Sequence, residues 1–179
     1  MNLYNNKIKQ LTFCAMAVAL GTVLSYIKLI HLPTGGAVTL ISMFVICLPG
    51  YFYGLGAGIK TGIAYGILQL VIDPYILSPI QVIVDYFLAF GAFGLSGLFA
   101  NAKNGLIKGY LVAVAGRYFF AVLSGWIFFG TYAWEGWAPL PYSMVYNASY
   151  IFTEAAITVV ILILPPVKSL TTKLKSMAL

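Results

Sequence analysis

Seventeen consecutive residues, Leu11 to Ile27, carry no charge, and runs of similar character recur to the end of the chain. In hydrocarbon such a run pairs its own backbone N–H and C=O groups only as a helix, and about 20 residues cross the bilayer core. The repetition excludes a soluble domain: of 179 residues 61% are hydrophobic and 8% charged, against roughly half and a quarter in soluble chains. Ten Lys/Arg against four Asp/Glu give +6. The lysines are scattered rather than gathered in a basic stripe, so nucleic acid is not implied. Lys7 and Lys9 precede the first apolar run as in a signal peptide, but Ala15-Met16-Ala17 lies inside that run, so the reading is an uncleaved first helix. Cys14 and Cys47 sit within apolar stretches without metal-ligand spacing.

The breaks divide one transmembrane domain, residues 1–179, into six helices at about 11–30, 37–48, 53–72, 78–100, 106–130 and 139–164. The punctuation is His31 to Gly36, Pro49-Gly50, Asp73-Pro74 and Pro165-Pro166. Lys7, Lys9, Lys103, Lys108, Lys168, Lys173 and Lys175 fall at the termini and the 4–5 connection, with Lys60 in reach of the 2–3 turn. The positive-inside rule then predicts an all-α bundle with both termini in the cytoplasm. Asp73 and Glu135 lie in outer loops.

Gly50, Gly54, Gly58, Gly62 and Gly66 recur every fourth residue, and Gly91, Gly94 and Gly97 follow. Small residues on one face let helix backbones approach closely, so both sets predict packing. Ala15 and Ala19 form a similar pair, open to internal packing or to docking of another protein.

Three ionisable residues fall deep inside spans, where each is costly: Asp85, Arg117 and Glu154. Arg117 and Glu154 lie at similar depth and suit a structural ion pair, with Arg117 touching a ligand as the alternative. Asp85 has no obvious cationic partner, which favours a bound cation. Ser78, Gln81 and Asp85 share one helical face, and Ser143, Tyr146, Asn147 and Tyr150 share another with Tyr142 at its edge; both open outward at one depth. Trp126, Phe128, Phe129, Tyr132, Trp134 and Trp137 are denser than an interfacial belt requires. With Tyr142 and Tyr146 they suit the walls of a site for a flat, partly cationic molecule. No Walker A sequence, metal-ligand cluster or Ser-His-acid set is present, so a binding or transport subunit is favoured over an enzyme.

The chain resembles the thiamine-specific substrate-binding subunits (S-components) of energy-coupling-factor (ECF) vitamin transporters of bacterial cell membranes. The resemblance is carried by Leu32-Pro33-Thr34-Gly35-Gly36, Tyr75-Ile76-Leu77-Ser78, Asp85-Tyr86, Arg117-Tyr118, Tyr132-Ala133-Trp134-Glu135-Gly136-Trp137, Tyr142-Ser143 and Tyr146-Asn147. It implies a six-helix S-component with an outward-facing pocket for thiamine under the 1–2 loop. Asp85 then meets the cationic part of the substrate. Tyr86, Tyr142 and Asn147 match ligand contacts, Tyr75, Gly125 and Phe129 match wall positions, and Arg117 matches a deeper basic residue. Ala15 and Ala19 match the surface that docks the transmembrane coupling protein, with energy supplied by two ABC-type ATPase subunits. Thiamine is transported cargo, and no cofactor is implied. The family usually carries a histidine one turn after the basic residue, where this chain has Ala121. That departure admits another vitamin or a thiamine precursor, such as riboflavin or a pyrimidine or thiazole moiety. A membrane scaffold without a ligand is the reading from a different class.

Overall fold

The computed structural model describes residues 3–33 and 35–178, so Thr34 of the 1–2 loop motif lies outside the described residues. Helices dominate: α1 (Leu3–Tyr26), α2 (Ser42–Tyr53), α3 (Leu55–Ile72), α4 (Pro79–Phe99), α5 (Gly105–Phe128), α6 (Pro139–Ile163) and α7 (Pro165–Ala178). All but α2 and α7 are long and apolar enough to cross a membrane.

Three boundaries differ from expectation. The first helix, expected over 11–30, runs from Leu3 to Tyr26, and residues 28–30 belong instead to strand β1, whose pairing with β2 takes them out of the helix. The helix predicted over 37–48 is displaced: Ala37–Thr39 forms strand β2, antiparallel to β1 (Lys28–His31), and α2 starts only at Ser42. Alternating Val38 inward with its neighbours half-exposed suits a strand, and Ile41 at φ 50° turns the chain into the helix. Nor does α2 stop at Pro49-Gly50; it runs through Pro49 to Tyr53. Proline survives inside helices packed in a bundle, and here Gly50 seats the helix closely on α3 and α4, with the Ser96 hydroxyl of α4 donating to the Cys47 carbonyl at 2.7 Å. The chain past Pro165-Pro166 adds α7, which the six-helix division omits.

The expected glycine packing is found between α2, α3 and α4. A Cβ on Gly58 would lie 2.7 Å from the Cα atoms of Gly50 and Gly94, and one on Gly66 would strike the Tyr86 carbonyl. Phe44, Ile46, Phe93, Tyr110, Val114 and Ile151 fill the core behind this contact. α1 is peripheral: only 11% of its most apolar stretch is buried.

α4 is not a uniform helix. It opens with an α-turn at Pro79–Val82, widens into a π-helix over Ile83–Leu88, and tightens to 3₁₀ over Ala92–Phe99. π-turns inside helices concentrate at functional sites, and this one carries Asp85 and Tyr86.

Candidate functional site

A cavity of about 330 Å³ opens between the β1–β2 hairpin and helices α3 to α6, within the usual range of small-molecule pockets. All nine residues singled out for substrate contact line it: Tyr75, Asp85, Tyr86, Arg117, Gly125, Phe129, Tyr142, Tyr146 and Asn147.

The α4 wall is built by its first turn. Ser78 caps the helix, its hydroxyl accepting from the Gln81 N–H at 3.1 Å. The buried Gln81 amide accepts from Leu77 N–H at 3.0 Å and donates to the Tyr75 carbonyl at 3.1 Å. Its remaining N–H reaches Asp85 Oδ2 at 2.6 Å. Gln81 therefore fixes the carboxylate while leaving its charge uncompensated; among the described residues Asp85 has no salt-bridge partner, the one ion pair being Lys28–Asp73 at 3.7 Å on the rim. Ser124, buried on α5 without a hydrogen-bond partner among the described residues, lines the same cavity.

Tyr86 spends its hydroxyl on the loop above, accepting from Tyr75 N–H at 3.0 Å and donating to the Asp73 carbonyl at 3.3 Å. It offers the cavity a ring face, stacked against Phe90 at 6.3 Å. Tyr75 lies 5.5 Å from Phe129, and its hydroxyl bonds that of Tyr132, joining the 3–4 loop to the 5–6 connection across the mouth. That bond pushes the Tyr75 phenol above its ordinary value.

On α6, Tyr142 stacks on Tyr146 at 5.7 Å and meets the edge of Trp134 at 5.1 Å. Asn147 donates to the Ser143 carbonyl at 2.9 Å and the Ala121 carbonyl at 3.3 Å, and accepts from the Tyr150 hydroxyl at 2.8 Å. Its amide orientation is thus fixed, with carbonyl capacity to spare. Gly125 acts by absence: a Cβ there would collide with the Ser143 hydroxyl and come within 3.2 Å of the Asn147 amide.

The expected Arg117–Glu154 ion pair is not formed. The Glu154 carboxylate is taken by the hairpin and the start of α2: it accepts from Thr39 N–H at 2.9 Å, the Thr39 hydroxyl at 2.6 Å and Met43 N–H at 3.1 Å. It thereby serves as the N-terminal cap that Ile41 lacks. Arg117 instead lies over the rings of Phe90 at 4.6 Å and Phe93 at 5.2 Å, a cation–π seat on the cavity wall. With Tyr146, whose hydroxyl accepts from Gly36 N–H at 2.8 Å, Glu154 ties the hairpin to α6.

Of the dense aromatics, Phe129 and Tyr132 line the cavity, whereas Trp126, Phe128, Trp134 and Trp137 do not. Tyr65 and Gln69 line it and were missed. Their signal was there, a tyrosine and the only amide of the third span, one turn apart.

The fold and cavity together define a multi-pass α-helical membrane protein with a walled small-molecule pocket under a two-stranded cover. The model of the thiamine transporter protein family (Thia_YuaJ) matches residues 11–174, and the chain belongs to that family. It is similar to the thiamine transporter ThiT of Bacillus subtilis, 35% identical over 149 residues covering 75% of this chain and 77% of that protein. The ThiT of Lacticaseibacillus paracasei is 29% identical over 125 residues, covering 60% of this chain and 62% of that one. The solved structure of ThiT from Listeria monocytogenes aligns with a TM-score of 0.73 at 26% identity, over 89% of this chain and 96% of the other. The chain is a bacterial membrane transporter protein, not an enzyme.

Proposed function

We propose that this chain is the substrate-capture subunit of an ECF transporter and binds thiamine in the cavity from outside the cell. The observation that carries the reading is Asp85: a half-buried carboxylate held by a neutral amide, without a cationic partner among the described residues, in a pocket walled by tyrosines and Phe129. Thiamine, the cargo named for the related proteins, supplies a permanent cation on a flat ring. Asp85 balances the thiazolium charge, Tyr142 and Asn147 hold the pyrimidine end, and Tyr75, Tyr86, Phe129 and Tyr146 enclose the rings, with Arg117 beyond them.

Six helices with both termini in the cytoplasm follow if α2 is counted as a short span, since the lysines of α7 and of the α4–α5 turn then share one side. Ala15 and Ala19 are exposed on the peripheral α1, a free surface that suits docking of the coupling protein; separate ATPases would supply the energy.

Titration of purified protein with thiamine, followed by tryptophan fluorescence, tests the assignment. Trp134 touches Tyr142, so an occupied cavity quenches it. Saturable quenching at micromolar thiamine or below is expected, and its absence overturns the assignment. Competition with riboflavin and with the separate pyrimidine and thiazole moieties tests whether Ala121, which leaves open space on the cavity wall, has changed the cargo.

A further inference from the structure

The binding site proposed above makes no use of α7, whose residues from Lys168 on divide into three strips at helical spacing. Thr171, Lys175 and Ala178 (i, i+4, i+7) face the bundle. The Lys175 ammonium donates to the Ala100 carbonyl at 2.6 Å and sits 4.1 Å over the Tyr51 ring. The Tyr53 hydroxyl, at the end of α2, donates to the Ala178 carbonyl at 3.1 Å. Leu170, Leu174 and Met177, again i, i+4, i+7, form a second strip; Leu170 and Met177 are each 55% exposed. Lys168, Ser169, Thr172, Lys173 and Ser176 line a shallow polar depression on the remaining side.

The placement of these strips decides what they meet. α6 breaks at Leu164, whose backbone is extended, and Pro165-Pro166 start α7 in a new direction. Fourteen residues, about 21 Å at 1.5 Å each, then run from the end of α6 to contacts beside the ends of α4 and α2. The helix therefore lies across the bundle end rather than along a span. Its apolar strip continues the exposed Ile163 and Leu164 at the foot of α6, and Lys173 borders that strip. A helix flush with the end of the spans, apolar toward one side and lysine-bearing toward the other, has the charge and form of an interfacial helix.

We propose that α7 is a lipid-binding element. Leu170 and Met177 enter the acyl boundary, and Lys168 and Lys173 bind the phosphate headgroups of anionic phospholipid. A protein occupant is less well matched, because the apolar strip is continuous with the exposed Ile163 and Leu164 at the foot of α6 and the charges on the polar side are all positive. The inference uses no residue of the cavity, so it stands or falls independently of the thiamine reading.

The full chain, reconstituted in bilayers of phosphatidylcholine with or without phosphatidylglycerol, supplies the test. Native mass spectrometry of the released protein reads which lipids are retained. Wild type is expected to retain phosphatidylglycerol preferentially, each lysine contributing about fivefold. Lys168→Gln/Lys173→Gln loses the preference and Lys168→Arg/Lys173→Arg keeps it, with unchanged thermal unfolding in detergent showing that the fold persists. A nitroxide on Met177→Cys, in a Cys14→Ala chain where Cys47 is buried, is expected at acyl depth, shielded from a water-soluble relaxant. Equal retention of both lipids by wild type, retention unchanged in the glutamine variant, or a water-exposed label each overturns the proposal. So does a glutamine variant that keeps its lipids but loses a copurifying protein.

Discussion

Asparagine at position 85 removes a charge and little else, because the Gln81 amide that donates to Asp85 Oδ2 can donate equally to an amide oxygen. Asp85→Asn is therefore expected to fold normally and to lose about 2–3 kcal/mol of thiamine affinity, the order seen when one member of a desolvated charge pair is removed. Equal affinity by fluorescence titration would refute the charge-pairing mechanism. Glu154→Ala acts differently: it strands the Thr39 N–H at the end of β2 and the Met43 N–H at the start of α2. At about 1–3 kcal/mol for each buried donor left unpaired, thermal unfolding in detergent should show a clear loss of stability. Arg117→Met should be much milder in the same assay, since Arg117 meets rings and strands no carboxylate. The sequence made Asp85 and Glu154 conspicuous because acids are scarce inside spans. It placed Gln81 on the face of Asp85 but could not reveal the partners of Glu154, because those donors come from residues more than a hundred positions away and half of them are backbone N–H groups, which no residue type advertises.

Glycine spacing in α3 and α4 was legible, and the structure adds which positions are intolerant. Gly66→Ala drives a methyl against the backbone of Tyr86. No side-chain rotation relieves it, so the π-helix that carries Asp85 must shift. Overpacking of this kind costs about 1–3 kcal/mol, and binding should weaken along with stability. Gly56→Ala is the internal control, since its added carbon meets nothing within 4 Å. If both variants behave alike in fluorescence titration and thermal unfolding, the close contact is not what holds the α4 wall. Element ends were less legible. Pro49-Gly50 reads as a stop in isolation, but Gly50 is packed against Gly58 of α3 and Gly94 and Ser96 of α4, and the helix runs on to Tyr53. The 37–48 stretch is apolar enough for a helix throughout, whereas its first residues are claimed by pairing with β1 and by the Glu154 carboxylate. Both corrections are tertiary effects that a local pattern does not contain.

At the scale of the whole molecule, the proposed capture site and the proposed docking surface lie apart. The cavity lies among α3 to α6 and the hairpin, while Ala15 and Ala19 stand exposed on the least buried span. Ala15→Trp/Ala19→Trp is accordingly expected to leave the thiamine dissociation constant within about twofold, as for exposed substitutions remote from a site. Copurification with the coupling protein and uptake by cells should both be lost. A double variant that still copurifies would remove α1 as the docking surface. The division into an apolar bundle with a polar, aromatic upper half was readable from composition and spacing alone. The hairpin cover and the flat α7 were not, because strands of three or four residues and a lysine-rich tail look like loop until the bundle is assembled around them.

The π-helix of α4 has a consequence for how such a molecule diversifies. A wider turn consumes more residues per revolution than an α-turn, so it resets the angular phase between the residues before and after it. Up to its first turn, Gln81 and Asp85 are phased to the cavity; downstream, Gly91, Gly94 and Gly97 are phased to α3. Mutation can then explore the upstream half for new chemistry while the downstream half keeps its grip on the neighbouring helix. Deleting one residue within 83–88 would fuse the two halves into a single phase and force recognition and assembly to compete for the same rotation. Cargo choice and bundle architecture are thus separately evolvable within one helix.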